Sequence, residues 1–221
     1  SRNQRPAMPC PMCRSKRCRA YHQDALRDYL QCPCCGLVFV PQNQRLDSVQ
    51  EKARYDEHQN DPCDPRYREF LSKLQDRICR RLAPPASGLD FGSGPEPVLA
   101  MMFRESGYDM QIYDRYYADH PEVLRRTYDF ITCNEVVEHL HEPGTILKQL
   151  VKRLRAGGLL GIRTQMVINR ERFASWHYTR DPTHVAFFSR DTFCWFAEEQ
   201  QCLVEFPDKD IILLSRDRPA E

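Results

Sequence analysis

At 221 residues the chain is long enough for one full-sized domain and a small appendage. A formal net charge of +1 gives no overall pull toward a polyanion. No run of 18 apolar residues exists and residues 1–9 are polar, which predicts neither a membrane span nor a secretory leader.

Six of the eleven cysteines crowd between Cys10 and Cys35. Such clustering argues against a secreted disulfide scaffold and for a reducing, cytoplasmic setting. Cys10-Pro-Met-Cys13 and Cys32-Pro-Cys-Cys35 are separated by eighteen residues. That is a spacing at which two Cys-x-x-Cys knuckles present four thiolates to tetrahedral Zn²⁺. Gly36 suits the second knuckle turn, and Leu37-Val-Phe-Val40 reads as a strand leaving it. So short a segment has too little apolar surface to fold without a staple. Residues 1–46 resemble a zinc ribbon with Cys10, Cys13, Cys32 and Cys35 as ligands; Cys18, Cys34 and His22 are the alternatives. This stretch holds eight basic residues (Arg2, Arg5, Arg14, Lys16, Arg17, Arg19, Arg27, Arg45) against Asp24 and Asp28, a net of +6. Two readings of that charge stand: docking on RNA or an acidic protein, and a plain solvated face.

Residues 47–83 read as a helical linker. Ser48-Val-Gln-Glu51 has the form of a capping box opening a helix to about Gln59. Asp64-Pro65 then gives an N-cap and first-turn proline. Phe70, Leu71, Leu74, Ile78 and Leu82 form an apolar stripe at helical spacing behind it.

Residues 84–221 carry the chemistry. Residues 87–97 read Ser-Gly-Leu-Asp-Phe-Gly-Ser-Gly-Pro-Glu-Pro, a strand ending at Asp90, a turn through Phe91, Gly92 and Gly94, and a helix to Ser106. This is the form in which a backbone approaches a nucleotide-like ligand closely. Met110–Tyr113 reads as the next strand, and Asp114 lies 20 residues past Gly94, where doubly wound folds place a ribose-binding acid. Tyr128-Asp-Phe-Ile-Thr-Cys-Asn134 is a buried strand, followed by Glu135-Val-Val-Glu-His139 and a helix–Gly-Gly–strand unit over residues 147–163.

In this ordered combination the chain resembles the class I S-adenosylmethionine (SAM) dependent methyltransferases, from about Leu82 to its end. One position departs from their pattern: Glu96 stands at the usual third glycine. The resemblance implies an α/β fold with a doubly wound, mostly parallel, Rossmann-like sheet of seven or slightly fewer strands. It also implies an antiparallel finish near Cys202–Phe206 and Ile211–Leu214. Helices ahead of the first strand commonly form a lid in this family, which would turn Tyr55 and His58 toward the site. Asp90 is implied to order the amino-acid end of SAM, Asp114 its ribose, and Asn134 and Glu135 to lie beside the cofactor.

On a helix, Glu135, Glu138 and His139 share one face. The pattern resembles two groups that bind a divalent cation there, the coenzyme Q pathway O-methyltransferases and the small-RNA 3′-terminal 2′-O-methyltransferases. In the second group a downstream histidine completes the site, and His184 is its counterpart. A second divalent cation on Glu135, Glu138, His139 and His184 therefore stands against a metal-free reading in which His184 is a general base. Arg172-Phe-Ala-Ser-Trp-His-Tyr-Thr-Arg-Asp-Pro-Thr-His184 is dense in aromatic and basic side chains and follows the strand whose loop lines the acceptor pocket in this fold. His184, Tyr178 and His139 are the catalytic candidates. The predicted reaction is methyl transfer from SAM to a hydroxyl of a small molecule or RNA, with protein also open. The rival reading is a non-catalytic zinc-ribbon adaptor that binds SAM structurally or not at all.

Overall fold

The computed structural model describes residues 8–217, so Arg2 and Arg5 of the basic stretch lie outside the described residues. After the first cysteine knuckle the chain forms a hairpin of β1 (Arg19–Gln23) and β2 (Asp28–Gln31), then β3 (Val38–Phe39). Helices α1 (Ser48–Asp56) and α2 (Pro65–Cys79) follow. Asp64 caps α2 as its sequence predicts, accepting a hydrogen bond from the Arg66 amide. At α1 the capping box sits one residue earlier than predicted. Asp47 is the cap and Gln50 its reciprocal partner, because the Asp47 carboxylate reaches the Gln50 amide at 2.8 Å. Glu51 is thereby released to point inward.

The main unit runs β4 (Ser87–Phe91), α3 (Val98–Glu105), β5 (Asp109–Tyr113), β6 (Tyr128–Asn134), α4 (Pro143–Lys152) and β7 (Leu154–Arg163). It continues through α5 (Arg170–Phe173), β8 (Ala186–Phe187), α6 (Arg190–Gln200), β9 (Cys202–Asp208) and β10 (Ile211–Arg216). Six strands make one sheet in the order β5-β4-β6-β7-β10-β9. The β4–β5, β4–β6 and β6–β7 pairs are parallel, while β10 runs antiparallel to both neighbours. This is the Rossmann-like, mostly parallel sheet expected. Between Asp114 and Tyr128 lie only a single bridge, Asp114 to Ala118, and a 3₁₀ turn at Pro121–Arg125, so no strand forms at the sheet edge there. Chain direction across the sheet reverses between β4 and β6, and ligands of such folds bind at that switch point, beyond the carboxyl ends of the strands.

A second sheet joins the N-terminal hairpin to the C-terminal half, in the order β1-β2-β3-β8. Val38 pairs with Phe187 and Phe39 with Ala186. Beneath it Tyr21, Tyr29, Val38, Val40, Phe173, Val185 and Phe187 form one buried cluster. Cys10, Cys32, Cys35, Leu37 and Phe39 belong instead to the cluster that includes Leu89, Ile131, Leu147 and Phe193 of the main sheet and its helices. Residues 8–46 and the later chain thus share both a sheet and a core.

The first knuckle also presses on the start of α4. The Gly144 amide donates to Pro11 O at 3.2 Å and Arg14 pairs with Glu142 at 2.8 Å. A Cβ on Gly144 would lie 2.1 Å from the Met12 carbonyl oxygen. Helix propensity alone makes Gly144→Ala favourable by up to about 1 kcal/mol; the clash with backbone reverses the sign. We expect a net loss of about 1–3 kcal/mol, read as a melting temperature lowered by several degrees. An unchanged or raised value would show that the knuckle is free to move away.

Candidate active site

The turn after β4 and the segment after β6 meet at the switch point. Gly92 has φ +79°, and a Cβ there would stand 2.4 Å from Val136 Cγ2, so only glycine fits both the backbone and the contact. The Gly92 and Ser93 amides both donate to Tyr113 O, and the Gly94 amide donates to Asp114 Oδ2 at 2.9 Å. Asp114 Oδ1 accepts from the Tyr116 amide at 2.9 Å. These groups border a cavity of about 1030 Å³, at the upper end of the range of roughly 300–1,000 Å³ for ligand pockets. Phe91, Gly92, Gly94, Asp114, Asn134 and Glu135 line it. Asp90 lies beneath the turn, buried, and accepts from the Thr132 hydroxyl at 2.9 Å. Burial pushes its carboxyl up to about 6, with Thr132 opposing and Asp114 adding to the shift. Glu96 is exposed and lies outside the cavity lining.

The two linker helices line the cavity with Tyr55, Tyr67 and Phe70, and the segment between them adds His58. Arg163, at the end of β7, anchors α2. It donates to Phe70 O and to Asp210 Oδ2 (3.0 Å) and lies 3.5 Å over the Phe70 ring. The inward Glu51 accepts from the Tyr55 and Tyr116 hydroxyls, both at 3.2 Å, and lies 3.3 Å from His141 Nε2. Sequence reasoning assigns Glu51 to the capping box and so misses this cluster; a one-residue cap shift is its only signal.

Behind the switch point the predicted helix does not form. Glu135 takes φ +54°, and only a 3₁₀ turn at Val137–His139 follows. The shared-face expectation for residues 135, 138 and 139 is corrected accordingly: Glu138 turns into the protein while Glu135 and His139 line the cavity. The residues still converge, through Tyr178. Its hydroxyl lies 2.7 Å from Glu135 Oε2 and 2.8 Å from Glu138 Oε1, and Thr164 donates to Glu138 Oε2 at 2.9 Å. One phenol proton cannot serve two carboxylates. Burial and the adjacent Glu135 raise Glu138 well above the usual carboxylate range, so Glu138 carries the second proton.

His184 stacks edge-on against Tyr178 and against His139, with ring centroids 4.3 and 4.7 Å apart. Its Nδ1 lies 2.7 Å from Tyr178 O. A carbonyl only accepts, so Nδ1 bears the hydrogen and Nε2 is left as the basic nitrogen, 3.6 Å from Asp181 Oδ2. Burial, with His184 adding to it, lowers His139 to about 3, so both rings can serve as neutral donors of lone pairs. One ligand atom each from Glu138, His139 and His184 lies within 4.8 Å of the others, a grouping that could hold a metal ion. Glu135 stands outside the trio, its carboxylate engaged by Tyr178. Among the described residues, Asn134 Oδ1 and His139 Nδ1 are buried without a hydrogen-bond partner, as in sites that await a ligand. His184 and Tyr178 do not border the cavity; they stand one layer behind His139 and Glu135.

The four predicted cysteines also converge, their sulfurs all within 4.8 Å. Cys10 Sγ lies 3.6 Å from Cys35 Sγ and Cys13 Sγ 3.3 Å from Cys32 Sγ. A ZnS₄ tetrahedron with bonds of about 2.3 Å has sulfurs about 3.8 Å apart, so the cluster could form a zinc site. Cys18 and Cys34 are hydrogen-bonded elsewhere, to Ser15 and, for Cys34, Arg17 as well. Among the described residues no helix is long and apolar enough to cross a membrane.

Known proteins share this architecture. A family model described as a methyltransferase domain matches residues 57–205. The ubiquinone biosynthesis O-methyltransferase of Aeromonas salmonicida is 31% identical over 97 residues, covering 44% of this chain and 39% of that protein. The protein of the same name from Proteus mirabilis is 29% identical over 94 residues, covering 42% and 37%. The chain therefore spans less than half the length of these curated relatives. Among solved structures, an O-methyltransferase family protein from Burkholderia thailandensis superposes with a TM-score of 0.52 at 13% identity, over 77% of this chain and 64% of that one. The 1,6-didemethyltoxoflavin-N1-methyltransferase of the same organism, crystallised with its namesake ligand and S-adenosylhomocysteine, gives 0.51 at 15% identity, over 90% and 99%. At such identities the structures establish the shared fold.

Asp90 offers a test of the turn's electrostatics. Its carboxyl titrates near 6 in the fold against an ordinary 3.8. The protonated form thus favours folding below about pH 4, and up to about 3 kcal/mol is lost as pH rises through 6. Asp90→Asn removes that loss. In urea titrations of the unliganded protein, the stability of the variant relative to wild type should climb between pH 4 and 7. A flat difference curve would show that Asp90 ionises as freely in the fold as outside it.

Proposed function

Since the chain belongs to the methyltransferase domain family and is a class I SAM-dependent methyltransferase, we propose that it methylates a hydroxyl, in a catechol or vicinal diol, with help from a divalent cation. The observation that carries this reading is the convergence of Glu138, His139 and His184 at the wall of the cavity, which His139 lines. SAM would lie along the turn, with Gly92 and Gly94 against its amino-acid end, Asp114 at its ribose, and Asn134 beside it. The relatives named O-methyltransferases support oxygen as the acceptor atom.

Glu138, His139 and His184 would hold the cation, which when bound lowers the pKa of a coordinated hydroxyl. The methyl carbon is already activated by the sulfonium, so the residues mainly orient and deprotonate. Tyr178 holds both carboxylates, and Tyr55, Tyr67 and Phe70 of the linker helices give the cavity an aromatic wall for the acceptor. A bound cation would take the place of the proton on Glu138, and one of the two cavity-wall carboxylates, Glu135 or Asp181, would accept the single proton lost by the acceptor hydroxyl. A metal-free reading is favoured by one observation, the Nδ1–H contact to Tyr178 O that leaves His184 Nε2 basic.

The N-terminal cysteines are proposed to hold one structural Zn²⁺. Arg14 is paired with Glu142, and Arg27 and Arg45 are engaged with backbone carbonyls. Lys16 and Arg19 are exposed, which leaves them to support docking of an acidic partner.

Calorimetry should show S-adenosylhomocysteine binding, and release of that product should be seen with a catechol or a ribose diol but not with a primary amine. His184→Ala should abolish turnover with S-adenosylhomocysteine affinity unchanged within a few-fold. Turnover that returns at high pH would instead identify His184 as a metal-free base, and turnover with the amine alone would overturn the hydroxyl assignment. Metal analysis should find one zinc per chain, lost in the Cys10/Cys13/Cys32/Cys35 quadruple serine variant; full retention there would refute the ligand set.

A further inference from the structure

Tyr178 and His184 stand on a loop with little structure of its own. Between α5 and β8 the chain holds a 3₁₀ turn at His177–Arg180 and then irregular backbone through Asp181, Thr183 and His184. Irregular buried backbone must find partners for its carbonyl groups. Here the partner comes from the opposite end of the chain. Arg27, from the tip of the β1–β2 hairpin, is buried (9% exposed) and reaches into this loop. Its Nη1 donates to His184 O at 2.8 Å and Pro182 O at 3.3 Å; its Nη2 donates to Thr179 O at 2.8 Å and lies 3.5 Å from Asp181 O. Tyr29, beside it in β2, is 3.2 Å from the same Nη2 and donates to Asp24 Oδ2 at 2.6 Å.

Four carbonyls from residues 179–184 therefore converge on one guanidinium. Only a planar fork of fixed donors can bind acceptors spread over six residues; an ammonium is a point charge with three donors on a mobile stem. The pinned carbonyls flank the two side chains of interest. Thr179 O follows directly on Tyr178, whose own carbonyl takes the His184 Nδ1–H, and His184 O is held by Arg27 itself. We propose that Arg27 is the positioning residue of the site: it sets the Tyr178–His184 distance, and through that contact fixes which nitrogen of His184 is basic. The N-terminal module is on this account part of the active-site scaffold. The assignment rests on the reading of Tyr178 and His184 as site residues, but its test does not require methyl transfer.

The test uses the full chain with Arg27→Ala, Arg27→Lys and, as a control, Arg19→Ala. In wild type, ¹⁵N histidine spectra should show His184 as the Nδ1–H tautomer, and the amides of Thr183, His184 and Val185 should be protected from exchange. Arg27→Ala should raise exchange at these amides at least tenfold and move the His184 nitrogens toward a tautomer mixture. S-adenosylhomocysteine affinity should stay within about twofold, because its contacts lie on other loops. Arg27→Lys should give an intermediate result and Arg19→Ala none. With any hydroxyl acceptor that turns over, Arg27→Ala should lower kcat without changing KM for SAM.

An unchanged His184 spectrum and unchanged exchange in Arg27→Ala would overturn the proposal. If Arg27→Ala does not fold, Arg27→Lys decides by the same readouts. If neither folds, native-state exchange of wild type in rising denaturant decides: residues 179–185 and the β1–β2 hairpin should open as one unit, and separate openings would overturn the assignment. Failure of hydroxyl methylation with a collapsed loop would remove the functional reading and leave the positioning role intact.

Discussion

Two strands of two residues each, β3 and β8, exchange backbone hydrogen bonds across most of the length of the chain. Few contacts in the molecule are smaller, yet the placement of the candidate site follows from this one. β8 begins two residues after His184, so the register of Val38 with Phe187 fixes where the His184 loop ends. Val40 continues the ladder by donating to Val185 O, and Val185 in turn donates to Glu138 O. A continuous line of backbone bonds therefore runs from the cysteine module, through the aromatic loop, to the turn that follows β6. Two-residue strands are weak by themselves. The aromatic cluster beneath them, with Tyr29 and Phe173 fully buried, is what holds the register.

That line brings together groups with opposing demands. Glu138 has no solvent, Glu135 has a cavity in front of it, and Tyr178 touches both. Burial raises Glu138 well above the usual carboxylate range and lowers His139 to about 3, so both are pushed toward their uncharged forms. Asp90 shows the same push beneath the glycine turn, where a carboxyl without solvent sits under backbone that a cofactor must approach.

Much of this was legible in the residues because it is local. β6 spans the predicted Tyr128–Asn134, Asp64 caps α2 as its Asp-Pro pair predicts, and the two cysteine pairs bring four sulfurs together. The glycine turn and Asp114 follow from a spacing that the fold enforces. The misreadings are nonlocal or steric. Glu135 to His139 has helical spacing, but φ +54° at Glu135, where the chain passes the close Gly92–Val136 contact, ends any helix before it starts. Glu51 reads as a capping residue because nothing nearby in sequence reveals Tyr116 or His141. Ala186-Phe187 is too short to carry a strand signal, and Arg27 looks like one more surface charge in a basic stretch.

The position of β10 has a consequence for how the chain can be divided. Family resemblance covers residues 57–205, a natural place to cut if that region is taken as a self-sufficient enzyme. Yet β10 lies between β7 and β9, and β3 lies against β8. A fragment trimmed to the matched span would cut β9 short, remove β10 from between β7 and β9 and leave β8 without β3, opening an apolar edge of the kind that recruits other chains. Recombinant dissection of this protein therefore has to keep both flanks, and aggregation of a minimal fragment would reflect its missing strands instead of an inactive fold.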